Sequence, residues 1–210
     1  MVDLEEIKES LIKGDANKVK ELVEAAVKEK TPVGDILNQG LIAGMNVVGK
    51  KFKNNEFYVP EVLIAARAMH AGMGILEPLL KESGIEPIGK IAVGTAKGDL
   101  HDIGKNLVIM MLKGGGFEVE DLGIDVPDEK FVEVAKKGVQ LIGLSALLTT
   151  TMPSMKTVIE ALKSAGIRDE VKIMIGGAPI TQAYADEIGA DGYSPDAASA
   201  VDKAKELIAK

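Results

Sequence analysis

The chain has 210 residues, 46% hydrophobic and 27% charged, which is typical of a globular protein with room for one large or two small domains. Its net charge of -7 and its 3% aromatic content argue against a nucleic-acid partner, which would need a basic face and stacking side chains. It contains no Cys, which excludes disulfides, iron–sulfur clusters, thiolate zinc sites and a cysteine nucleophile.

Two further absences narrow the possible functions. No apolar run approaches the roughly 20 residues that cross a bilayer, and the acidic, amphipathic N-terminus does not resemble a signal peptide. We therefore expect a cytoplasmic protein with no membrane partner. His70 and His101 are the two imidazoles in the chain, so any metal ion is expected to arrive inside a cofactor.

Residues 3–82 show helical periodicity without strand-like alternation. Asp15 is placed to cap a second helix, and Thr31-Pro32 fits an N-cap followed by proline at the first helical position of a third. That third helix is predicted to reach about Lys53, and Pro60 is predicted to start a fourth. Four helices with short connections predict a small bundle, which we assign to a domain over residues 1–85.

After a linker rich in Gly and Pro, strand-like and helical stretches alternate. The predicted strands are 90–94, 117–121, 140–144, 171–175 and 191–193. The predicted helices are about 104–113, 128–137, 153–165, 181–187 and 196–209. This alternation indicates an α/β domain over residues 89–210, with a parallel sheet covered by helices on both faces. Five strands favour the flavodoxin-like, or Rossmann-like, order 2-1-3-4-5.

Ligands of such sheets bind at the carboxyl ends of the strands, where the strand order reverses. The loop after the first strand contains Asp99-x-His101-x-x-Gly104. The loop after the third begins Ser145-x-Leu147 and continues into the hydroxyl run 149–151, a run that could equally be a helix cap. The loop after the fourth opens with Gly176-Gly177. One edge of the sheet thus offers an imidazole, hydroxyls and bare backbone.

Familiar phosphate sites do not fit these loops. Gly98 and Gly104 are one position too far apart for a Walker loop, and Lys105 is followed by Asn106. The Gly-x-Gly-x-x-Gly dinucleotide fingerprint is absent after the first strand. A receiver domain would carry its phospho-acceptor carboxylate where this chain has Ser145.

Taken as a set, Asp99-x-His101-x-x-Gly104, Ser145-x-Leu147 and Gly176-Gly177 resemble the cobalamin-binding signature of methionine synthase and of the corrinoid proteins of methyltransferase systems. The segment from Phe57 to Met69 is similar to the cap that covers the upper face of the corrin in that family. The resemblance spans about residues 1–208. It implies cobalamin, as methylcobalamin or a related corrinoid, with residues 1–85 as the cap domain and 89–210 as the cobalamin-binding domain.

The resemblance also implies roles for individual residues. His101 would bind cobalt in place of the cofactor's own dimethylbenzimidazole, Asp99 would hydrogen bond the other ring nitrogen, and Ser145 would extend this proton relay. Asp99 and Ser145 are therefore the candidate catalytic residues. On the cap, Tyr58 is the expected cofactor contact, followed by Leu63 or Ile64, although apolar residues at this helical spacing equally fit the core of the bundle. The remaining expected cofactor contacts, around the sheet, are Gly98, Leu100, Asp102, Ile103, Gly104, Leu147, Thr149, Gly176, Gly177, Tyr193 and Ala197.

The function implied by the resemblance is that of a methyl carrier rather than a complete enzyme. A substrate-specific methyltransferase would load a methyl group from methanol, a methylamine or a methoxylated aromatic compound. A second methyltransferase would pass it to tetrahydrofolate or coenzyme M, and both would be separate subunits served by a reductive activase. A cobalamin-dependent sensor or regulator and a subunit of an adenosylcobalamin mutase are the alternatives.

Overall fold

The computed structural model describes residues 2–209. The chain divides into two compact units: residues 2–87 with Gly114–Gly116, and residues 88–113 with 117–209. The first unit is helical and the second holds a parallel sheet. A helical N-terminal region followed by a five-stranded α/β fold was predicted, and this prediction is confirmed.

The helical unit begins with two capped helices. These are α1 (Leu4–Ile12) and α2 (Ala16–Lys28), whose N-cap residues Asp3 and Asp15 accept hydrogen bonds from the backbone N–H groups of Glu5 and Lys18. The cap predicted at Asp15 is thus present, and it satisfies one of the free N–H groups at the helix start. Ile7, Leu11, Val19 and Val23 are fully buried and make the apolar stripes of both helices part of the core.

The predicted third helix is a rod of three segments, α3 (Val33–Asp35), a π-helical stretch (Ile36–Ile42) and α4 (Ala43–Lys53). Its start differs from the prediction by one position, because Pro32 has an extended ψ of 128° and is itself the N-cap. The π-helical stretch was not predicted. A wider helical turn keeps apolar residues on one side much as an α-helix does, so periodicity alone does not distinguish them.

The helix α5 (Val59–Glu82) carries Pro60 in its first turn, as predicted, and packs against α2. It is the one helix among residues 2–209 whose length and apolar composition would suffice to cross a membrane. Eight of its residues are buried, among them Ala65, Ala68 and Leu76, which are completely inaccessible. This packing is that of a core helix in a bundle, and its apolar character follows from that.

The second unit alternates strands and helices throughout. In chain order these are β1 (Lys90–Thr95), α6 (Ile103–Gly114), β2 (Glu118–Gly123), α7 (Asp128–Lys136), β3 (Leu141–Ser145), α8 (Pro153–Ser164), β4 (Lys172–Gly176), α9 (Gln182–Ile188), β5 (Gly192–Tyr193) and α10 (Ala197–Ile208), with a 3₁₀ turn at Arg168–Glu170. All neighbouring strands are parallel, and their order β2-β1-β3-β4-β5 is the one predicted.

The sheet is buried on both faces, as a doubly wound fold requires. Strand β1 has five consecutive buried residues from Ile91 to Thr95, and β3 has four from Leu141 to Leu144. One cluster of the core joins the sheet to α7, α8 and α9 through Phe131, Val158 and Ala185, each with no exposed surface. This packing holds the carboxyl ends of β1, β3 and β4 side by side.

Candidate functional site

The three loops singled out in the sequence meet at one edge of the sheet. The strand register pairs Thr95 with Ser145, and Ser145 with Gly176, so β1, β3 and β4 end level with one another. Backbone hydrogen bonds continue this alignment into the loops, from Ala96 N–H to the Ser145 oxygen at 2.9 Å and from Ala146 N–H to the Gly176 oxygen at 3.2 Å. Residues far apart in the sequence are thereby brought to a single site.

Asp99 is the buried centre of this site, with none of its surface exposed. Its Oδ1 accepts hydrogen bonds from the backbone N–H and the ring Nδ1 of His101, each at 3.0 Å. Its Oδ2 accepts from the backbone N–H groups of Leu147 at 2.8 Å and Leu148 at 3.2 Å, and from the Thr151 hydroxyl at 2.7 Å. Burial alone would raise the pKa of Asp99, but these donors hold that pKa well below its ordinary value.

His101 is oriented by this carboxylate. An ionised carboxylate only accepts hydrogen bonds, so Nδ1 of His101 must carry the proton that is shared with Asp99. The other ring nitrogen, Nε2, then has a free lone pair, and no residue of 2–209 hydrogen bonds to it. The side chain is 48% exposed, so Nε2 is available to one metal ion or one proton donor.

The hydroxyl that contacts Asp99 belongs to Thr151, a contact that was not predicted, and the relay role expected of Ser145 is not tested by it. Ser145 is half-buried at the end of β3, and its side chain makes no hydrogen bond to another described residue. The following turn, closed by the hydrogen bond from Thr151 N–H to the Leu148 oxygen at 3.1 Å, returns the chain to Asp99 and buries Thr151. A direct part for Ser145 in catalysis stays a prediction.

Thr151 lies in the hydroxyl run 149–151, for which the sequence allowed two interpretations, a ligand-binding loop or a helix cap. Helix α8 has Met152 at its N-cap, with no side-chain hydrogen bond at that position. The run therefore does not cap α8, and its last hydroxyl serves the carboxylate of another loop. The sequence signal for a structural role of this run was its position just before Pro153, which starts α8. Which of the three threonines contacts Asp99 is decided by the tertiary turn.

Large apolar side chains of the same loops are exposed. Leu100 is 64% exposed and Ile103 81%, while Leu147 and Leu148 are 44% and 42% exposed. A Cβ at Gly104 would point into open space, and the glycine leaves that space free. The exposed imidazole edge is thus flanked by loops that present apolar surface, which in a soluble domain indicates a binding site.

Two glycines of the site have backbones that other residues rarely adopt. Gly98 has φ +87°, and its N–H donates to the Asp125 carboxylate at 2.6 Å. Gly177 has φ +135°, and a Cβ there would lie 1.8 Å from the backbone oxygen of Ala146. At Gly176 a Cβ would lie 3.3 Å from the Ser194 oxygen. The loop after β4 therefore approaches neighbouring backbone too closely for a side chain at Gly177, and the loop after β1 favours glycine at position 98 because of its positive φ.

The remaining predicted contacts of the sheet unit lie around these loops. Thr149 is exposed, Asp102 is half-buried, Tyr193 is half-buried at the end of β5, and Ala197 is buried at the start of α10. The end of β5 adjoins that of β4, because Ser194 N–H donates to the Ile175 oxygen. That these side chains line a slot for a ligand tail stays a prediction.

Tyr58 belongs to the helical unit, directly before α5, and is 63% exposed. Its backbone N–H donates to the Glu61 carboxylate at 2.9 Å, which fixes the start of the helix. Leu63 and Ile64 on the next turn are 42% and 43% exposed, so this face is not core of the helical unit. A cofactor contact by Tyr58 stays a prediction. His70 is exposed on the same helix.

The donor set at the sheet edge suits one kind of metal group. No group of three or more His, Asp or Glu residues among 2–209 could hold a metal ion by itself. His101 can therefore supply a single ligand, and the metal must bring its other ligands with it. A macrocycle that supplies the other metal ligands and has apolar surface on its ring fits both the single imidazole and the exposed Leu100 and Ile103.

Comparison with known proteins agrees with this chemistry. The B12 binding domain families match residues 89–202 and 3–77. The dimethylamine corrinoid protein of Methanosarcina barkeri is 48% identical over 208 residues, covering 98% of this chain and 97% of its own length.

Two solved structures are also similar. A cobalamin-binding protein from Desulfitobacterium hafniense has 31% identity and a TM-score of 0.81, covering 99% of each chain. A chain of the methanol:cobalamin methyltransferase complex MtaBC of Methanosarcina barkeri has 30% identity and a TM-score of 0.86, covering 98% of this chain and 79% of that one. The exposed His101 imidazole at the sheet edge, the family matches and the full-length relatives agree: this chain belongs to the B12-binding corrinoid proteins, whose cofactor is cobalamin.

Proposed function

We propose that this chain is a corrinoid methyl carrier for a methylated amine, with His101 as the protein ligand of cobalt. The observation that carries the proposal is the His101 ring, tied through Nδ1 to a fully buried Asp99 and left open at Nε2. The name of the dimethylamine corrinoid protein, similar along its whole length, supports an amine such as dimethylamine as the methyl donor.

When bound, cobalamin supplies a cobalt centre that accepts a methyl group and gives it up again. The protein's part is to hold His101 in the tautomer with a free Nε2, which Asp99 does by accepting the Nδ1 proton. Thr151 and the backbone N–H groups of Leu147 and Leu148 keep the carboxylate ionised, so the proton stays on the ring. The imidazole is thereby a stronger ligand than a free histidine.

The other predicted residues are assigned as follows in this proposal. Around His101, the residues that would hold the corrin are Leu100, Asp102, Ile103, Gly104 and Leu147. The residues that would hold its nucleotide tail are Gly98, Ser145, Thr149, Gly176, Gly177, Tyr193 and Ala197. We assign residues 1–85 as the cap domain, with Tyr58 as its candidate cofactor contact, and residues 89–210 as the cobalamin-binding domain.

Two methyltransferases act on the carrier as separate proteins, one loading and one unloading it, and a reductive activase restores cobalt after oxidation. The similarity to a chain of the methanol:cobalamin methyltransferase complex supports a methyltransferase partner. We place the system in the cytoplasm. Neither nucleic acid nor membrane has a part in it.

The ligation of cobalt by His101 is tested by visible spectroscopy and electron paramagnetic resonance of the full chain reconstituted with cobalamin. His101→Ala is compared with His70→Ala, which removes the other, exposed histidine and serves as the matched control. Wild type and His70→Ala should bind one cobalamin with dimethylbenzimidazole displaced. ¹⁵N-histidine labelling should change the nitrogen splitting of the cobalt(II) signal. Loss of this effect of the histidine label in His101→Ala, but not in His70→Ala, supports the proposal. Absence of stoichiometric binding by wild type overturns it.

The donor is tested separately, by methyl transfer to the reconstituted chain. The chain is offered dimethylamine-, monomethylamine- and methanol-specific methyltransferases, each with its substrate, and methylation is followed by absorbance. Faster methylation with dimethylamine is expected. Preference for methanol would keep the carrier function and refute the donor.

A further inference from the structure

Lys105 is buried in a place where lysine is unfavourable. Its side chain is 2% exposed, and it is among the largest buried side chains of residues 2–209. It also lies in the first turn of α6, where the partial positive charge of the helix end repels a cation. Both effects destabilise the fold unless the ammonium is paired, so its place needs a compensating reason.

Two acceptors hold the ammonium group. Nζ of Lys105 donates to Oδ1 of Asp121 on β2 at 2.6 Å and to Oδ1 of Asn106 at 2.8 Å. Asp121 is fixed in turn by the backbone N–H of Gly123 at 2.9 Å. Burial would raise the pKa of Asp121, but the hydrogen bond from Lys105 holds it below its ordinary value. Asp121 is therefore ionised, and its contact with Lys105 anchors the start of α6 to β2.

The contact with Lys105 decides how the Asn106 amide is turned. Lysine only donates hydrogen bonds, so the amide oxygen must face it and the NH₂ group must face the other way. On that side Nδ2 of Asn106 donates to Oδ2 of Asp102 at 3.1 Å. Asp102 directly follows His101. A continuous hydrogen-bonded path thus runs from β2 through a buried cation to the loop that carries the imidazole.

The other end of the same loop is tied to the segment after β2. Gly98 N–H donates to the Asp125 carboxylate at 2.6 Å, and Asp125 N–H donates to the Asp99 oxygen at 3.0 Å. The Thr95 hydroxyl, fully buried, donates to that same Asp99 oxygen at 2.6 Å. The loop is therefore held at its first end by Asp125, just after β2, and by Thr95 of β1. The path through Lys105 links its other end to β2, beside the direct contacts of His101 with Asp99 and of Asn106 N–H with the Asp102 oxygen.

We propose that Lys105 is a positioning residue for the His101 loop, acting through Asn106 and Asp102, so that the imidazole is held ready before the cofactor arrives. The proposal rests on the proposed function, in which His101 binds cobalt. Pre-orientation matters because a loop that must be ordered on binding spends part of the ligand's binding free energy. Substitution of residues that orient a metal ligand through hydrogen bonds typically lowers the metal affinity by about 10- to 100-fold.

Two substitutions interrupt the path at different points. Lys105→Met keeps the length of the side chain and removes the charge. Asn106→Leu keeps the shape of the amide and leaves the Lys105–Asp121 pair in place, so the fold retains its buried ion pair. Lys113→Met is the matched control, because Lys113 is an exposed cation on the same helix that also acts on Asp121.

Each variant is measured first without cofactor and then with it. In the full-length apo chain, ¹⁵N relaxation of the backbone amides of residues 99–103 reports the order of the loop. In the reconstituted chain, visible spectra over a cobalamin titration report the affinity and the fraction in which histidine has replaced dimethylbenzimidazole. Substitution of a residue that only stabilises the fold would lower the unfolding free energy without changing the loop order or the histidine ligation.

We expect Asn106→Leu and Lys105→Met to loosen residues 99–103 and weaken histidine ligation by about 10-fold, with Lys113→Met unchanged. Asn106→Leu with wild-type loop order and ligation would overturn the proposal, whether or not Lys105→Met folds. If wild type itself shows no histidine ligation, the proposed function fails. The apo relaxation measurement then still decides the positioning, since an unchanged loop in Asn106→Leu refutes it on its own.

Discussion

Exchange of Asp99 for Asn replaces one acceptor oxygen with an NH₂ donor at a carboxylate that accepts five hydrogen bonds. If the NH₂ group takes the place of Oδ2, it faces the backbone N–H groups of Leu147 and Leu148, and neither can turn away. If it takes the place of Oδ1, it faces one fixed donor, the His101 N–H, and the His101 ring, which can change tautomer. The second orientation is therefore favoured.

The size of the effect follows from this count. Loss of one hydrogen bond to a charged group removes about 1.5–3 kcal/mol from the free energy of unfolding. The other orientation would leave two buried backbone donors unpaired and remove roughly twice as much. In the favoured orientation Nδ1 of His101 must accept a hydrogen bond, so its proton moves to Nε2. Asp99→Asn is thus expected to fold, to bind cobalamin, and to lose most of its histidine ligation.

The depressed pKa of Asp99 adds a dependence on pH. Its stabilising effect is complete above the unfolded-state pKa of about 3.9 and is lost as pH falls toward the folded-state value. Below about pH 4 the unfolded chain binds a proton that folded Asp99 does not. The difference in unfolding free energy between wild type and Asp99→Asn should therefore shrink by about 1.4 kcal/mol per pH unit.

Urea unfolding of the apo chain at about pH 7, 4 and 3 measures the free energies, and ¹⁵N spectra of the imidazoles measure the tautomer. The chain has two histidines, so the exposed His70 is an internal reference. Asp169→Asn, on the exposed 3₁₀ turn, is the matched control. An Asp99→Asn variant that kept wild-type stability at pH 7 and the wild-type tautomer would refute the reasoning.

Three other predictions concern the same loops and the cap. Thr151→Val should lower the unfolding free energy by about 1.5–3 kcal/mol, and Ser145→Ala by less than about 0.5 kcal/mol. If urea unfolding showed the larger loss for Ser145→Ala, the hydroxyl that stabilises the Asp99 carboxylate would be that of Ser145. Gly177→Ala should destabilise by about 2–4 kcal/mol, because its Cβ would overlap backbone, whereas Gly138→Ala, with φ +87° and open space around it, should lose about 1 kcal/mol; equal losses would contradict the close approach. Tyr58→Ala should leave the unfolding free energy within about 0.5 kcal/mol of wild type but speed photolysis of the methylcobalamin-loaded chain; unchanged light sensitivity would refute the cap contact.

The strand order was predictable because the change from helical periodicity to short apolar runs near residue 90 fixes the fold class, and five strands then favour one order. Asp99 and His101 were predictable as a pair because one residue separates them and both lie in a short, glycine-bounded loop that follows the buried strand β1. The pairing of Thr151 with Asp99 was not, since it depends on a turn that folds back across 52 positions.

Burial of Lys105 was also beyond reach of the sequence. A lysine beside Gly and Asn at the start of a helix has the local pattern of a solvated side chain, and its acceptor on β2 is 16 positions away. The π-helical turn at Ile36–Ile42 escaped for a different reason, because its apolar residues keep nearly helical spacing. For Lys105 and Thr151 the deciding contact is tertiary, and a local pattern carries no information about it.

The two outer strands of the sheet have a consequence for the behaviour of the protein at high concentration. An unpaired strand edge can template the addition of another chain and so begin aggregation. Here β5 has only two residues, Gly192–Tyr193, and offers little to pair with. The longer edge, β2, carries Glu118, Glu120 and Asp121 within six residues. Because Asp121 is paired with Lys105, the repelling charges are Glu118 and Glu120. Two copies meeting along β2 would bring these two carboxylates of each copy together, so like-charge repulsion disfavours extension of the open sheet into a fibre.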